Sequence, residues 1–213
     1  MTATPAWLHI EEKITHQVIE TECSSLHPHH LEMQAHNIMA GEVAVHHHHP
    51  IKTVLGSCIA VCLFDPQLKL IGMNHFLVPL RHSRDDQEGY FSGLASMEVL
   101  VNEMMKAGAA KRRIVAKAFG GGDMLGLDNM VGMGQKNIEF TQSWLQAEHI
   151  PLTAVDWGGN WARKVIFEPV KGDVYCRRIE AKLPKARQLA QEEQRFAEKL
   201  VRQQQKPRID FFD

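Results

Sequence analysis

The chain has 213 residues, 44% hydrophobic and 23% charged, with a net charge of −1. This is the make-up of an ordinary globular domain with extensions, and it excludes a chain-wide basic field for nucleic acid or a strongly acidic one. No apolar run reaches the roughly 18–20 residues of a membrane span, and the first residues carry no basic-then-apolar secretory pattern.

Four cysteines (Cys23, Cys58, Cys62, Cys176) are too sparse for a disulfide framework, so a reduced, cytoplasmic setting is expected.

Residues 1–35 read as a weakly patterned N-terminal extension. Trp7, Ile10, Ile14 and Val18 recur at helical spacing, and 24–30 (SSLHPHH) reads as loop. A domain is expected over residues 36–180. Residues 42–45 form a strand, and the four consecutive histidines at 46–49 form an exposed loop with adventitious metal affinity. Residues 53–55 lead into Gly56 and Ser57. Next come two apolar runs, 58–64 (CIAVCLF) and 70–78 (LIGMNHFLV), split by PQLK. Their length and composition predict two buried strands joined as a hairpin.

Residues 81–92 read as a polar loop. Leu94, Met97, Val101 and Met104 predict an amphipathic helix that stops before Gly108. Residues 114–119 predict a strand that runs into three glycines. Residues 137–148 predict a second helix, and 152–156, 164–169 and 174–179 predict further strands. Residues 181–213 are charged and Gln-rich. Leu189, Phe196 and Leu200 mark a thin apolar seam, which reads as a solvated helix ending in a loose tail, with a partner-binding helix as the alternative. Hairpin strands with intervening helices make the domain α+β.

The chemistry centres on Gly56, Ser57 and Cys58. A Gly-Ser turn just before a strand can present the Cys58 sulfur and leave backbone N–H groups of the turn unpaired, as an oxyanion hole requires. The plain alternative is a buried structural cysteine. His75 lies 17 residues on, in the second strand of the hairpin. Antiparallel pairing makes the two residues neighbours, with Cβ atoms within roughly 4.5–5.5 Å for directly opposed positions. An imidazole there takes the thiol proton and makes the sulfur nucleophilic. Thr53, Ser57 and Asn74 are the candidates to orient the ring. Cys62, about 13 Å along a strand from Cys58, is expected in the core. On a helix the two cysteines would instead adjoin, and a Cys58, Cys62 and His75 metal site becomes conceivable. The glycines at 120–122, 132 and 134 do not fit a dinucleotide fingerprint; tight turns or close backbone approach, shaping a cleft, explain them better. Asp156, Trp157, Gly158 and Gly159 read as a turn, with a substrate groove as the alternative.

Taken together, TVLGSCIAVCLFDP (53–66), GMNHFLVP (72–79), AKAFGGGDM (116–124), GQKNIEF (134–140) and DWGGNWARKVIFEPVKG (156–172) resemble the CheD family, the chemoreceptor glutamine deamidases of bacterial chemotaxis. The resemblance spans about residues 40–180. It implies a three-layer α/β/β sandwich like that of deamidating-toxin-type cysteine hydrolases. It also implies a Cys58–His75 pair that hydrolyses glutamine side chains on chemoreceptor helices, with Gly56 and Ser57 at the oxyanion and no metal or organic cofactor. The family's third residue is a threonine six positions before the cysteine. This chain has Lys52 there and Thr53 one step later, so a bulge is expected if Thr53 is to face the histidine. The implied partners are the receptor helices and a CheC-type phosphatase, with no nucleic acid and no membrane insertion. A binding module with a vestigial pair, and a Cys/His metal protein, are the rival readings.

Overall fold

A computed structural model of the chain describes residues 28–77, 87–123, 132–180 and 184–204. In order they form α1 (Pro28–Gln34), β1 (His36–Asn37), β2 (Val43–His46), β3 (Ile51–Leu55), β4 (Ile59–Asp65), β5 (Leu70–Asn74), α2 (Gln87–Lys106), β6 (Val115–Gly120), α3 (Met133–Ala147), β7 (Leu152–Trp157), β8 (Trp161–Phe167), β9 (Val174–Glu180) and α4 (Pro184–Gln204). The helical spacing at residues 7–18, and Cys23, lie outside the described residues.

Nine strands make two sheets among these residues, ordered β1-β3-β8-β9 and β2-β5-β4-β6-β7. The β1–β3 and β6–β7 pairs are parallel and the others antiparallel. β4 shows why its sequence is continuously apolar: it is buried on both faces. Ile59, Val61 and Leu63 point to one side, where Met97, Leu100 and Met104 of α2 and Ile138, Phe140 and Trp144 of α3 complete a core. Cys58, Ala60 and Cys62 point to the other, against Ile51 and Leu55 of β3 and Val165 and Phe167 of β8. The layers therefore run helices, five-stranded sheet, four-stranded sheet. Each fully buried Leu, Ile, Phe or Met contributes about 1.5–3 kcal/mol, upper values for a chain fully exposed when unfolded.

The expected hairpin forms, pairing Cys62 with Met73 and Asp65 with Leu70. Its turn is fixed by the buried Asp65 carboxylate. This accepts from the Gln67 amide (3.1 Å), the Ala110 amide (3.2 Å) and Arg113 Nη2 (2.7 Å). Burial works to raise the Asp65 pKa, but Arg113 and these amides outweigh it and hold the carboxyl below its usual range.

Several expected boundaries move. Residues 28–30 open α1 rather than ending a loop, and α2 starts at Gln87, inside the stretch read as polar loop. β5 stops at Asn74, because the Asn74 side chain takes over a rung of the ladder: its Oδ1 accepts from Val61 N at 2.9 Å. α3 starts at Met133, one turn before its apolar spacing begins. The tetrahistidine segment lies as expected, with residues 47–49 exposed; His46, the last residue of β2, contacts His36 at 2.7 Å.

Candidate functional site

Cys58 lies in the turn between β3 and β4, and His75 just past the end of β5. Pairing resumes beyond Asn74 with a bridge between Ile59 and Phe76. In that register Cys58 and His75 are diagonal neighbours on the inter-sheet face rather than a directly opposed pair. The Cys58 sulfur, a His75 ring nitrogen and a Glu193 carboxylate oxygen all lie within 4.8 Å of one another.

Thr53 contacts the ring. Its Oγ1 donates to the Ile38 carbonyl (2.8 Å) and stands 2.8 Å from His75 Nδ1. A hydroxyl has one proton, so with that proton on Ile38 the contact to the ring is Nδ1–H donating to Thr53. Nε2 therefore carries the free lone pair; it is buried and without a hydrogen-bond partner. No bulge is needed to reach this arrangement. β3 pairs with β8 in unbroken register from Ile51 to Leu55, and alternation puts Ile51, Thr53 and Leu55 on the buried face. Lys52 lies on the opposite face, where its Nζ donates to the Glu32 carbonyl (2.7 Å). Of the other candidates, Asn74 is spent on Val61 N and Met97 Sδ, and Ser57 Oγ donates to Glu193.

The turn is held from behind by its carbonyls. Gly56 O accepts from Gly122 N (2.7 Å), Ser57 O from Asn137 Nδ2 (2.8 Å), and Cys58 O from Gly121 N (2.8 Å). Here the glycines are required by close approach. A Cβ on Gly120 would stand 2.1 Å from Cys58 O, and one on Gly122 2.6 Å from Trp161 O. The 156–159 turn backs this loop: Gly158 N donates to Gly120 O, Asp123 N donates to Gly159 O, and the fully buried Arg163 ties Asp156 to the Gly158 carbonyl. The 156–159 segment is thus a strut behind the site.

With three carbonyls drawn back, three consecutive N–H groups converge forward as a nest for an anion. A carboxylate from α4 fills it. Glu193 Oε1 accepts from Gly56 N (2.7 Å) and Cys58 N (3.4 Å); Oε2 accepts from Ser57 N (2.7 Å) and Ser57 Oγ (2.8 Å). Glu193 is 2% exposed, Cys58 0% and His75 3%. The helix expected in this segment forms and is exposed along most of its length, but its Glu193 and Ala197 face is buried, and through it α4 covers the Cys58 turn. Burial, then the Glu193 charge and its hydrogen bond, push the Cys58 thiol well above its usual pKa, while burial lowers His75 to about 4. Thiol and imidazole are both neutral in this closed arrangement.

Glu193 and Asn137 were not singled out as site residues from sequence. The signal for Glu193 was present, since it falls in the seam of Leu189, Phe196 and Leu200 at helical spacing, an acidic residue where an apolar one belongs. Nothing marked Asn137 beyond its place in the GQKNIEF block. Cys62 is buried in β4, on a strand and outside the Cys58, His75 and Glu193 cluster, so a metal site built on Cys58, Cys62 and His75 does not form. Cys58, His75 and Glu193 are close enough to share an ion, but the Glu193 lone pairs already face four N–H and O–H donors, which suits an anion pocket rather than a metal.

A family model described as CheD chemotactic sensory transduction matches residues 78–178. The chain is 44% identical over 181 residues to a Dechloromonas aromatica protein named "Probable chemoreceptor glutamine deamidase CheD 2"; the match covers 84% of this chain and 90% of that relative. A Shewanella oneidensis protein of the same name is 42% identical, over 68% of this chain and 77% of its own length. A Bordetella avium "Probable chemoreceptor glutamine deamidase CheD" is 37% identical, over 76% and 74%.

Proposed function

The chain belongs to the CheD family, and from that premise we propose that it is a protein-glutamine deamidase, a hydrolase acting on chemoreceptor glutamines through Cys58 and His75. The observation that carries the reading is the Thr53–His75 contact. It fixes the proton on Nδ1 and leaves Nε2 as a base for the nearby Cys58 thiol.

In the proposed reaction Nε2 takes the thiol proton, and the sulfur attacks the glutamine Cδ. The oxyanion sits in the nest of Gly56, Ser57 and Cys58 amides, where one donor is typically worth about 3–4 kcal/mol. The imidazolium returns its proton to the departing ammonia, leaving a thioester. Nε2 then takes a proton from water, the hydroxide adds to the thioester, and the sulfur leaves as glutamate forms, the imidazolium returning its proton to the departing thiolate. This chain's own groups carry every step.

The helix, sheet, sheet order supports kinship with the α/β/β sandwich of deamidating-toxin-type hydrolases. The same family reading proposes a CheC-type phosphatase as a second partner, and the cytoplasm as the place of action. Among the described residues no helix is long and apolar enough to cross a membrane. The binding-module rival drew on Lys52 at the family's threonine position; the Thr53 hydroxyl on His75 supplies the third group and favours the enzyme.

The test is mass spectrometry of chemoreceptor peptides incubated with the full-length protein. Conversion of specific glutamines to glutamates, lost in Cys58→Ala and in His75→Gln, is the expected result. No conversion by folded wild-type protein whose Cys58 is shown to be reachable by iodoacetamide rejects it.

A further inference from the structure

The nest that would hold an oxyanion already holds a carboxylate of the chain itself. We propose that α4 is a built-in pseudo-product: Glu193 occupies the pocket that a newly formed target glutamate would occupy, and α4 must leave before a target helix can enter. This inference rests on the deamidase reading of the site.

Three observations carry it. First, the fit is to a carboxylate. Both Glu193 oxygens accept, Oε1 from Gly56 N and Cys58 N, Oε2 from Ser57 N and Oγ. A carboxamide in the same pose would turn its own NH2 toward N–H donors. The helix therefore presents the product form of the side chain and not the substrate form, and an enzyme that deamidates glutamine leaves it uncleaved.

Second, α4 is built to bind by the face that carries Glu193. Leu189, Phe196, Ala197 and Leu200 stand at −4, +3, +4 and +7 from Glu193, a single stripe on a helix. Ala197 is buried, and the Phe196 ring packs on the backbone at Gly41, where an added Cβ would stand 3.0 Å from it. The outer face is polar, with Gln188 paired to Glu192 and Gln194 to Glu198 at i, i+4. The same stripe states what an incoming helix should offer around its glutamine: apolar residues at −4, +3 and +7, and a small one at +4.

Third, with α4 in place the nucleophile is both covered and disarmed. Cys58 is wholly buried, and the Glu193 charge adds to burial in keeping its thiol protonated. Removing the carboxylate uncovers the sulfur, empties the oxyanion nest and relieves that charge at one stroke.

The experiment uses full-length protein and follows iodoacetamide labelling of Cys58 by peptide mass spectrometry, with receptor-glutamine deamidation measured on the same samples. Glu193→Ala removes the carboxylate. Phe196→Ala loosens the helix without touching the nest, and serves if Glu193→Ala does not fold. The expected result is Cys58 labelling at least about tenfold faster in either variant, as loss of charge-assisted hydrogen bonds or of an aromatic contact predicts, with faster deamidation of receptor. Labelling at the wild-type rate in both folded variants overturns the pseudo-product. Faster labelling with no deamidation in any variant leaves α4 as the cover and rejects the deamidase reading instead, so the two fail separately.

Discussion

Thr53 and His75 share a single proton-defined contact: Oγ1 lies 2.8 Å from Nδ1 while its own hydrogen goes to the Ile38 carbonyl. The β3 strand thereby dictates which tautomer the imidazole adopts, and the direction of that choice leaves the Nε2 lone pair free, as the proposed mechanism requires. Thr53→Val keeps the shape and removes the acceptor. A buried Nδ1–H without a partner costs about 1–3 kcal/mol, so turnover is expected to fall roughly tenfold to a hundredfold with the fold retained. Nitrogen-15 NMR of His75 checks the cause: the wild type should show the Nδ1–H form, and the variant a mixture of both tautomers. An unchanged tautomer in Thr53→Val would remove Thr53 from the mechanism.

His75 also sets a pH dependence. Burial lowers its pKa from 6.5 to about 4 in the folded chain. Between these values the unfolded state takes up a proton that the folded state refuses, so stability is fully present above pH 6.5 and is lost as pH falls toward 4. The difference corresponds to about 3 kcal/mol at its limit. Urea unfolding of wild type and His75→Gln across that interval should show a steeper loss in the wild type. Asp65, whose carboxyl is held low, acts in a separate and more acidic window: its contribution disappears only as pH falls through its folded value below 3.8. Equal slopes for the two proteins between pH 6.5 and 4 would contradict a neutral, desolvated His75.

Local pattern exposed most of this architecture because each signal had a local cause. The apolar runs around β4 and β5 are strands buried on both faces, and the stripe of Leu94, Met97, Val101 and Met104 is the inner face of α2. The nearness of Cys58 and His75 followed from hairpin topology, although they meet as diagonal neighbours and not as an opposed pair. What stayed hidden depends on contacts far apart in sequence. Glu193 reaches Gly56 across 137 residues, and Asn137 reaches Ser57 across 80. The helical spacing of Glu193 marks the helix face it lies on but not what that face meets, and Asn137 carries no such mark. The bulge expected at Thr53 is not needed, for a similar reason: strand parity counted from a family position cannot fix which face of β3 turns to the other sheet, and here Ile51, Thr53 and Leu55 form the buried set.

Gly56 separates access from catalysis. A Cβ there would stand 2.7 Å from Glu193 Oε2, inside the volume of the bound carboxylate. Gly56→Ala should therefore expel Glu193 and speed Cys58 labelling, yet it also intrudes where a substrate carbonyl must sit. Turnover on receptor glutamines is expected to fall by about 10²–10³, the scale of a lost oxyanion donor. Glu193→Ala and Gly56→Ala thus share the labelling phenotype and have opposite effects on deamidation. Parallel kinetics on the two variants checks this, and a Gly56→Ala enzyme as active as Glu193→Ala would place the oxyanion elsewhere.

Asn137 is a positioning residue. Its Nδ2 holds the Ser57 carbonyl at 2.8 Å from a fully buried site on α3, and the peptide whose oxygen it holds carries the Cys58 amide on its other side. Asn137→Asp keeps the volume but sets an acceptor against that carbonyl, which rotates the peptide and swings the Cys58 N–H off the nest. An interaction made only as charge develops lowers kcat and kcat/KM together and leaves KM nearly unchanged. A fall in kcat of roughly tenfold or more is expected, consistent with about 1–3 kcal/mol for an unsatisfied buried group. Asn137→Ala, which removes the donor without adding repulsion, should fall less. A purely structural role would instead lower the melting temperature of both variants and leave the kcat of the folded fraction at the wild-type value.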